Sequence, residues 1–490
     1  MPFQVPDKFH IVFQKRLLYG CARLRCKERE KDPAPTLCAV SNAPDSVEVP
    51  ASSGSTKRRR PQQANQQQES IKEEAEDEKY EPFPVLDKKH QQIILNIFRD
   101  TFSDVLFSDT FTSTLQAVKQ ALYEREFAKA FGDPDYLAVY AARWSPTRAL
   151  CYSSILGGIR RHLNSIIVEE EEEEETEVTP EGGEQKQQEE EETKAPTKDN
   201  TEEEESLASQ TANLSLSPPQ KRKTPKLNIL SIGGGPAELV ALGSFLNQQQ
   251  SSSQSSSPAP LSGSITLLDS APYSPLLSAL QSSLTSTPPI SKYASAAAKA
   301  ANVPLLTPAS RISSHFFQHD ALDLGKEGFL GLLADKKDVP TLVTLLFTLN
   351  ELFTSSGIGK TTRFLLDLTA SLSLGSLLLV VDSPGSYSET TLGKEEKRYP
   401  MAWLLDRVLL AADKHGRATA VVEGRKWRKL ETRKSSWFRL AEGRGGESGL
   451  DYPIGLENMR YQLHLYRLVD ENAPEEEEEG GDGSEGSDEE

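Results

Sequence analysis

Residues 227–246 read LNILSIGGGPAELVALGSFL, and this stretch decides the fold. Leu227–Ile232 is a short apolar run of strand length. Gly233, Gly234 and Gly235 follow, and Pro236 opens a helical pattern that continues through Ala237–Leu246. Glycines let the backbone turn tightly and come close to a ligand without a Cβ in the way. Proline suits the first turn of a helix, where its missing N–H costs nothing. Strand, glycine turn and helix together form the ligand-binding unit of an open α/β sheet.

Beyond this unit, short apolar runs alternate with helical patterns. The runs are Ile265–Leu268, His315–His319, Leu342–Thr348 and Leu377–Val381; the helical patterns are Pro275–Ser283, Gly325–Leu333, Lys360–Leu372 and Pro400–Ala412. Such alternation predicts a parallel sheet covered on both faces. Trp437–Leu440 and Tyr461–Val469 have no helix between them and are expected to pair as an antiparallel hairpin at the end of the sheet. The fold class is therefore α/β: a seven-stranded, mostly parallel, doubly wound sheet, similar to the Rossmann-like methyltransferases.

The residues after the strands narrow the ligand. In the dinucleotide pattern G-x-G-x-x-G the sixth position is glycine; here it is Glu238. A carboxylate at that helix start repels a pyrophosphate and suits a cationic sulfonium, which favours S-adenosylmethionine over NAD. Asp269, after the second strand, is placed to accept from a ribose diol, or to cap the helix near Pro272. Asp320, after the third strand, is a candidate acceptor for an adenine amino group with Gln318 in support, or else a turn residue. Asn350 and Glu351 follow the fourth strand. They are expected near the transferred methyl, Asn350 on the acceptor and Glu351 as a base, unless they only cap a helix.

Two further stretches have competing readings. Ser355–Thr362, SSGIGKTT, approaches the phosphate-loop pattern but has Thr354 where glycine is required, so Lys360 reads as the opening of a helix. Residues 397–437 mix cations with aromatics, among them Arg425, Lys426, Trp427, Arg428 and Lys429. They suit single-stranded RNA, or a solvated charged surface with Trp403 and Trp437 in the core. No cysteine lies beyond Cys151. Methylation of a pyrimidine C5 needs a thiolate, so transfer to nitrogen or oxygen is favoured.

The 490 residues carry a net charge of −18 and only 37% hydrophobic residues. Much of the acid sits in runs such as Glu169–Glu175 and Glu475–Glu479, which read as solvated linker and tail. The chain divides into a basic segment (1–30), a linker (31–83), a helical region (84–166), an acidic linker (167–224), the α/β domain (225–470) and an acidic tail (471–490). Within the helical region, Gly132 is a stop, and Tyr136–Ile159 reads as a helix pair broken near Pro146. Cys21, Cys26, Cys38 and Cys151 form no C-x-x-C, and no metal site is expected. No apolar run approaches the roughly 20 residues that span a bilayer, so no membrane partner is expected. The runs Lys57–Arg60 and Lys221–Lys223 suit nuclear import or are ordinary solvated charge.

The strings GGGPAELVA, LFTLNELF, LLLVVDSPGSYSE, YPMAWLLD, SSWFR and LDYPIGLENMRYQLHLYRL resemble the fungal large-subunit (25S) ribosomal RNA uridine-N(3) methyltransferase family. FQKRLLYGCARLR and ALYEREFAKAFG…YLAVYAARWSPTRALCYSSI fit the same family. The resemblance spans the helical region and the α/β domain but not the linkers. It implies a pocket for S-adenosylmethionine lined by Gly233, Gly235, Glu238, Asp269, Asp320 and Asn350; the weakly acidic imide nitrogen calls for a base, and Glu351 is the candidate from its place after the fourth strand. It also implies ribosomal RNA or a pre-ribosomal particle as partner, and a nuclear, nucleolar location. Arg125, Lys129, Arg143 and Arg148 are then candidate phosphate contacts. Alternatives from the same residues are a protein or small-molecule methyltransferase and a non-catalytic ribosome-assembly factor. Oligomeric state is not legible.

Overall fold

The computed structural model describes residues 81–172, 222–251, 259–384, 387–392, 395–411, 419–442 and 449–474. The basic segment at 1–30, the linker up to residue 80, the bulk of the acidic linker and the tail beyond 474 lie outside the described residues. So do the Lys57–Arg60 run, Cys21, Cys26 and Cys38.

The helices of six or more residues are α1 (Lys88–Thr101), α2 (Phe111–Tyr123), α3 (Phe127–Gly132), α4 (Pro134–Gly158), α5 (Pro236–Ser251), α6 (Ser274–Thr285), α7 (Gly325–Leu332), α8 (Gly357–Ser371) and α9 (Met401–Leu409). The strands are β1 (Val168–Glu172), β2 (Arg222–Ile232), β3 (Ser262–Asp269), β4 (Ile312–Gln318), β5 (Leu342–Leu346), β6 (Leu377–Asp382), β7 (Tyr387–Leu392), β8 (Glu395–Pro400), β9 (Arg425–Phe438) and β10 (Met459–Asp470). The central sheet runs β4-β3-β2-β5-β6-β10-β9, with β1 added beside the start of β2. Strands β2 to β6 are parallel, and β10 lies antiparallel between β6 and β9. The terminal pair is thus an antiparallel hairpin, inserted so that its second strand meets the parallel sheet.

Alternate residues of the central strands serve two cores, as the pleat requires. Leu377, Leu379 and Val381 of β6 face one layer; Leu378 and Val380 face the other. The first layer contains α5 and α6 and also α1 and α4 from the helical region, through Ile94, Phe98, Leu150 and Ile155. The second contains α7, α8 and α9, through Phe329, Phe364, Leu365 and Leu405. Each fully buried leucine or phenylalanine contributes roughly 2 kcal/mol by leaving water. The helical region is therefore part of the main core.

Several details differ from expectation. The helix over Pro134–Gly158 is continuous, with Pro146 inside it and Asp133 capping its start. Proline cannot donate to the carbonyl four residues back. That carbonyl, of Ala142, instead accepts from the Tyr452 hydroxyl at 2.8 Å, and packing on both sides holds the helix together. The acidic linker is shorter than its charge suggests. Glu169–Glu172 pair with Arg222–Pro225 in the sheet, and Glu170 meets Lys226 at 2.6 Å. The basic stretch from Arg425 is a strand whose cations are engaged internally. Lys426 donates to the Ala473 carbonyl, Lys429 pairs with Asp406 at 2.8 Å, and the Trp427 indole donates to Thr369 at 3.0 Å. Trp427 is buried, whereas Trp403 and Trp437 are exposed. No helix among the described residues is long and apolar enough to cross a membrane.

Candidate cofactor and acceptor site

The carboxyl ends of β2, β3, β5 and β6 open into a cavity of about 480 Å³, within the range of small-molecule sites. Gly233 makes the turn that forms its floor. Its φ is +68°, and a Cβ there would stand 2.4 Å from Thr348 Oγ1. Its N–H donates to the Leu268 carbonyl at 2.8 Å, tying the turn to the end of β3. Gly233, Gly235, Glu238, Asp269, Asp320, Asn350 and Glu351 all line this cavity, and Asp382 joins them. Gly234 and Gln318 are not brought to it. A Cβ on Gly234 would meet Ser231, and Gln318 is exposed, donating to the Ser270 carbonyl at 3.2 Å. Gly385 and Ser386, on the loop after β6, lie outside the described residues.

The carboxylates are held by backbone donors. Glu238 accepts from the Gly235 N–H at 2.8 Å. The amide that would greet a pyrophosphate is therefore already taken, and a negative charge stands in its place. Asp269 accepts from the Ala271 N–H at 2.7 Å; it closes a turn ahead of α6 instead of capping that helix. Asp320 accepts from the Leu322 N–H at 2.9 Å. Asp382 accepts from the N–H groups of Asn350 (3.1 Å) and Ser383 (2.8 Å). Burial nevertheless dominates. It pushes the carboxyls of Glu238 and Asp382 up to about 7 and that of Asp269 to about 6, against the pull of these hydrogen bonds. A cation entering the cavity reverses that effect by favouring the ionised forms. The Asn350 side chain is buried, and its Oδ1 has no partner among the described residues.

Sequence reasoning missed the other wall. It comes from the helical region, through Tyr123, Phe131, Tyr140, Trp144 and Arg148. No local pattern says which face of a distant helix meets a sheet edge. Of the four expected phosphate contacts, Arg143 is engaged by Glu457 and Lys129 by Glu126. Arg125 and Arg148 line the cavity. The SSGIGKTT stretch makes no phosphate cradle, because α8 already begins at Gly357 and places Gly359 and Lys360 within the helix. Among the described residues no group of three His, Cys, Asp or Glu side chains is placed to hold a metal.

The strand order, with an antiparallel strand inserted beside β6, and a glycine turn backed by a carboxylate define a Rossmann-like S-adenosylmethionine-dependent methyltransferase. The cavity fits that cofactor. A close-approach turn and carboxylates that a cation would ionise face one space. The chain belongs to the family described as "Putative SAM-dependent methyltransferase", whose model matches residues 98–467. It is 26% identical over 393 residues to the 25S rRNA (uridine(2843)-N(3))-methyltransferase of Saccharomyces cerevisiae, covering 76% of this chain and 85% of that one. Among solved structures it is similar to a SAM-dependent methyltransferase from Methanosarcina mazei, at 11% identity, 49% of this chain, 92% of that chain and TM-score 0.24. A 16S rRNA (adenine(1408)-N(1))-methyltransferase from Catenulisporales acidiphilia gives 12%, 50%, 88% and 0.24.

Proposed function

We propose that this chain methylates the N3 of a uridine in large-subunit (25S) ribosomal RNA, within the nucleolus, on free RNA or a pre-ribosomal particle. The observation that carries the reading is the similarity to the yeast enzyme across three quarters of the chain. Cys151 supports a nitrogen acceptor: it is buried, and burial drives its thiol well above the ordinary range, so it supplies no thiolate for attack on a pyrimidine carbon.

In this reading Glu238, Asp269 and Asp320 hold the cofactor's polar groups, with Asp269 on the ribose diol and Asp320 on the adenine amino group. Bound S-adenosylmethionine supplies an electrophilic methyl group on a cationic sulfur. Glu351, at the cavity beside Asn350, takes the imide proton as the N3–methyl bond forms. Asn350, lining the same cavity, donates through its side-chain amide to a base carbonyl and aligns the imide before transfer.

The test is deletion of the gene, followed by mass spectrometry of nucleosides from large-subunit ribosomal RNA. Loss of one N3-methyluridine is expected, and its return with the wild-type gene. An unchanged set of methylated nucleosides would overturn the assignment. A fluorescent fusion that stays out of the nucleolus would overturn the location.

A further inference from the structure

The helical wall of the cavity holds a cation whose charge reaches Glu238 and Asp382. Arg148, on α4, is set between two rings: its guanidinium carbon lies 5.5 Å from the centre of the Tyr140 ring and 5.8 Å from that of Phe347. Its Nη1 donates to the Tyr140 hydroxyl at 2.5 Å. Tyr140 is in turn fixed by Phe131, edge-on at 4.9 Å, and by Trp144 at 5.0 Å. Phe347 is held in a left-handed backbone, φ +59°, by its N–H to the Val381 carbonyl at 2.7 Å. A bulky residue keeps such a backbone only where its surroundings enforce it, and such residues gather at functional sites.

A guanidinium carries five N–H donors in a fixed fork. Tyr140 takes one of them, and Arg148 lines the same cavity as Asn350 and Glu351. Enclosed by rings at a cavity wall, it is badly placed for an RNA backbone phosphate. It is well placed for a planar group that enters the cavity. Uracil presents carbonyl, N–H and carbonyl in a row. When the N–H is lost, the charge spreads onto the flanking oxygens. Arg148 offers a set of donors to the carbonyls of that face. Cytosine presents an amino group in place of one of those carbonyls, and that group mismatches the donors.

Resting on the uridine reading above, we propose that Arg148 reads and activates the acceptor base: it donates to a carbonyl oxygen beside the imide nitrogen and stabilises the charge that develops there. The N3–H bond breaks, with the proton passing to Glu351. The N3–methyl bond forms as the methyl–sulfur bond breaks, and the sulfur keeps the electron pair. Tyr140 and Phe347 are positioning residues that hold the fork in register.

The experiment uses the full chain, labelled S-adenosylmethionine and deproteinised large-subunit ribosomal RNA from cells lacking the gene. Arg148→Met is expected to slow single-turnover transfer about 100-fold, the scale of losing one preorganised donor to a developing oxyanion. Cofactor affinity by calorimetry at about pH 9, well above the values of about 7 for Glu238 and Asp382, should stay the same or tighten, because a cation sharing the cavity is gone. The rising limb of the rate against pH should move up by about one pH unit or more, since the imide loses its stabilising charge. Arg148→Lys should retain more of the rate than Arg148→Met, and Tyr140→Phe should cost several-fold. The last two variants carry the pH readout if Arg148→Met does not fold. A slowed variant with an unmoved pH limb, or a wild-type rate in Arg148→Met, would overturn the proposal. Wild-type protein that makes no N3-methyluridine on this RNA would instead overturn the uridine reading, and this role with it.

Discussion

Lowering the pH from 8 to 6 should weaken S-adenosylmethionine binding about tenfold through Glu238 alone. Burial lifts this carboxyl from 4.5 to about 7. At pH 8 roughly nine in ten molecules carry the charge, and at pH 6 roughly one in ten. A sulfonium cation prefers the ionised form, so binding at pH 6 must first expel a proton. The sign for stability is opposite. A folded-state value above the unfolded one stabilises the fold fully below about pH 4, and that contribution is lost as pH rises through about 7. At about 1.4 kcal/mol per pH unit, the ligand-free fold carries a penalty of up to about 3 kcal/mol at pH 8 from Glu238. Cofactor should therefore raise the melting temperature more at pH 8 than at pH 6. Calorimetry in two buffers of different ionisation enthalpy reads the proton directly. Wild-type protein should release about one proton through Glu238 near pH 6.5, and Glu238→Gln should lack it and lose one tenfold step from its pH profile. If Glu238→Gln and wild type show the same pH dependence, the carboxylate does not face the cofactor's charge.

Gly233→Ala should abolish measurable cofactor binding and cost roughly 1–3 kcal/mol in a denaturant melt, because φ +68° and Thr348 both oppose a side chain there; a variant that binds normally would show the turn does not approach the ligand. Cys151→Ala should keep the transfer rate and lose about 1 kcal/mol of stability; an inactive but folded variant would point to a thiolate mechanism. Tyr452→Phe should cost about 1–2 kcal/mol by leaving the Ala142 carbonyl unpaired. Adding Pro146→Ala should recover part of that loss, because the new backbone N–H reaches the same carbonyl. Strict additivity in that double-mutant cycle would contradict the link.

The glycine turn and the strand–helix alternation were readable because each is a local pattern: apolar runs of strand length, a turn that only glycine fits, and a proline at a helix start. Glu238 and Asp269 were readable for the same reason, since sheet topology fixes where strand ends must lie. What stayed hidden had no local signature. The strand at Glu169–Glu172 is built from like charges, and it is a strand because it pairs with β2, where Lys223 and Lys226 meet Glu169 and Glu170. The start of β9 reads as a cationic surface because Lys429 carries no mark of its partner Asp406, across the sheet edge. Asp382 reads as the first residue of a loop until Asn350, 32 residues earlier, is seen donating to it. The aromatic wall depends on how α4 packs against the sheet, which periodicity cannot give.

The charges in the cavity also bear on turnover. Glu238, Asp269 and Asp382 are costly to ionise where they stand, and Arg148 pulls Glu238 and Asp382 only part of the way down. Glu238 and Asp382 would be fully ionised near neutral pH only while a further positive charge shares the space. Transfer removes that charge, because the product of methyl loss is a neutral thioether. Glu238 and Asp382, at about 7, would then regain part of a proton near neutral pH. Part of the energy that holds the donor is thereby withdrawn once the acceptor has been methylated. A site lined by fully solvated carboxylates would hold donor and product almost alike. Burial at the sheet edge, more than the number of acidic groups, is therefore expected to set how far this cavity discriminates between them.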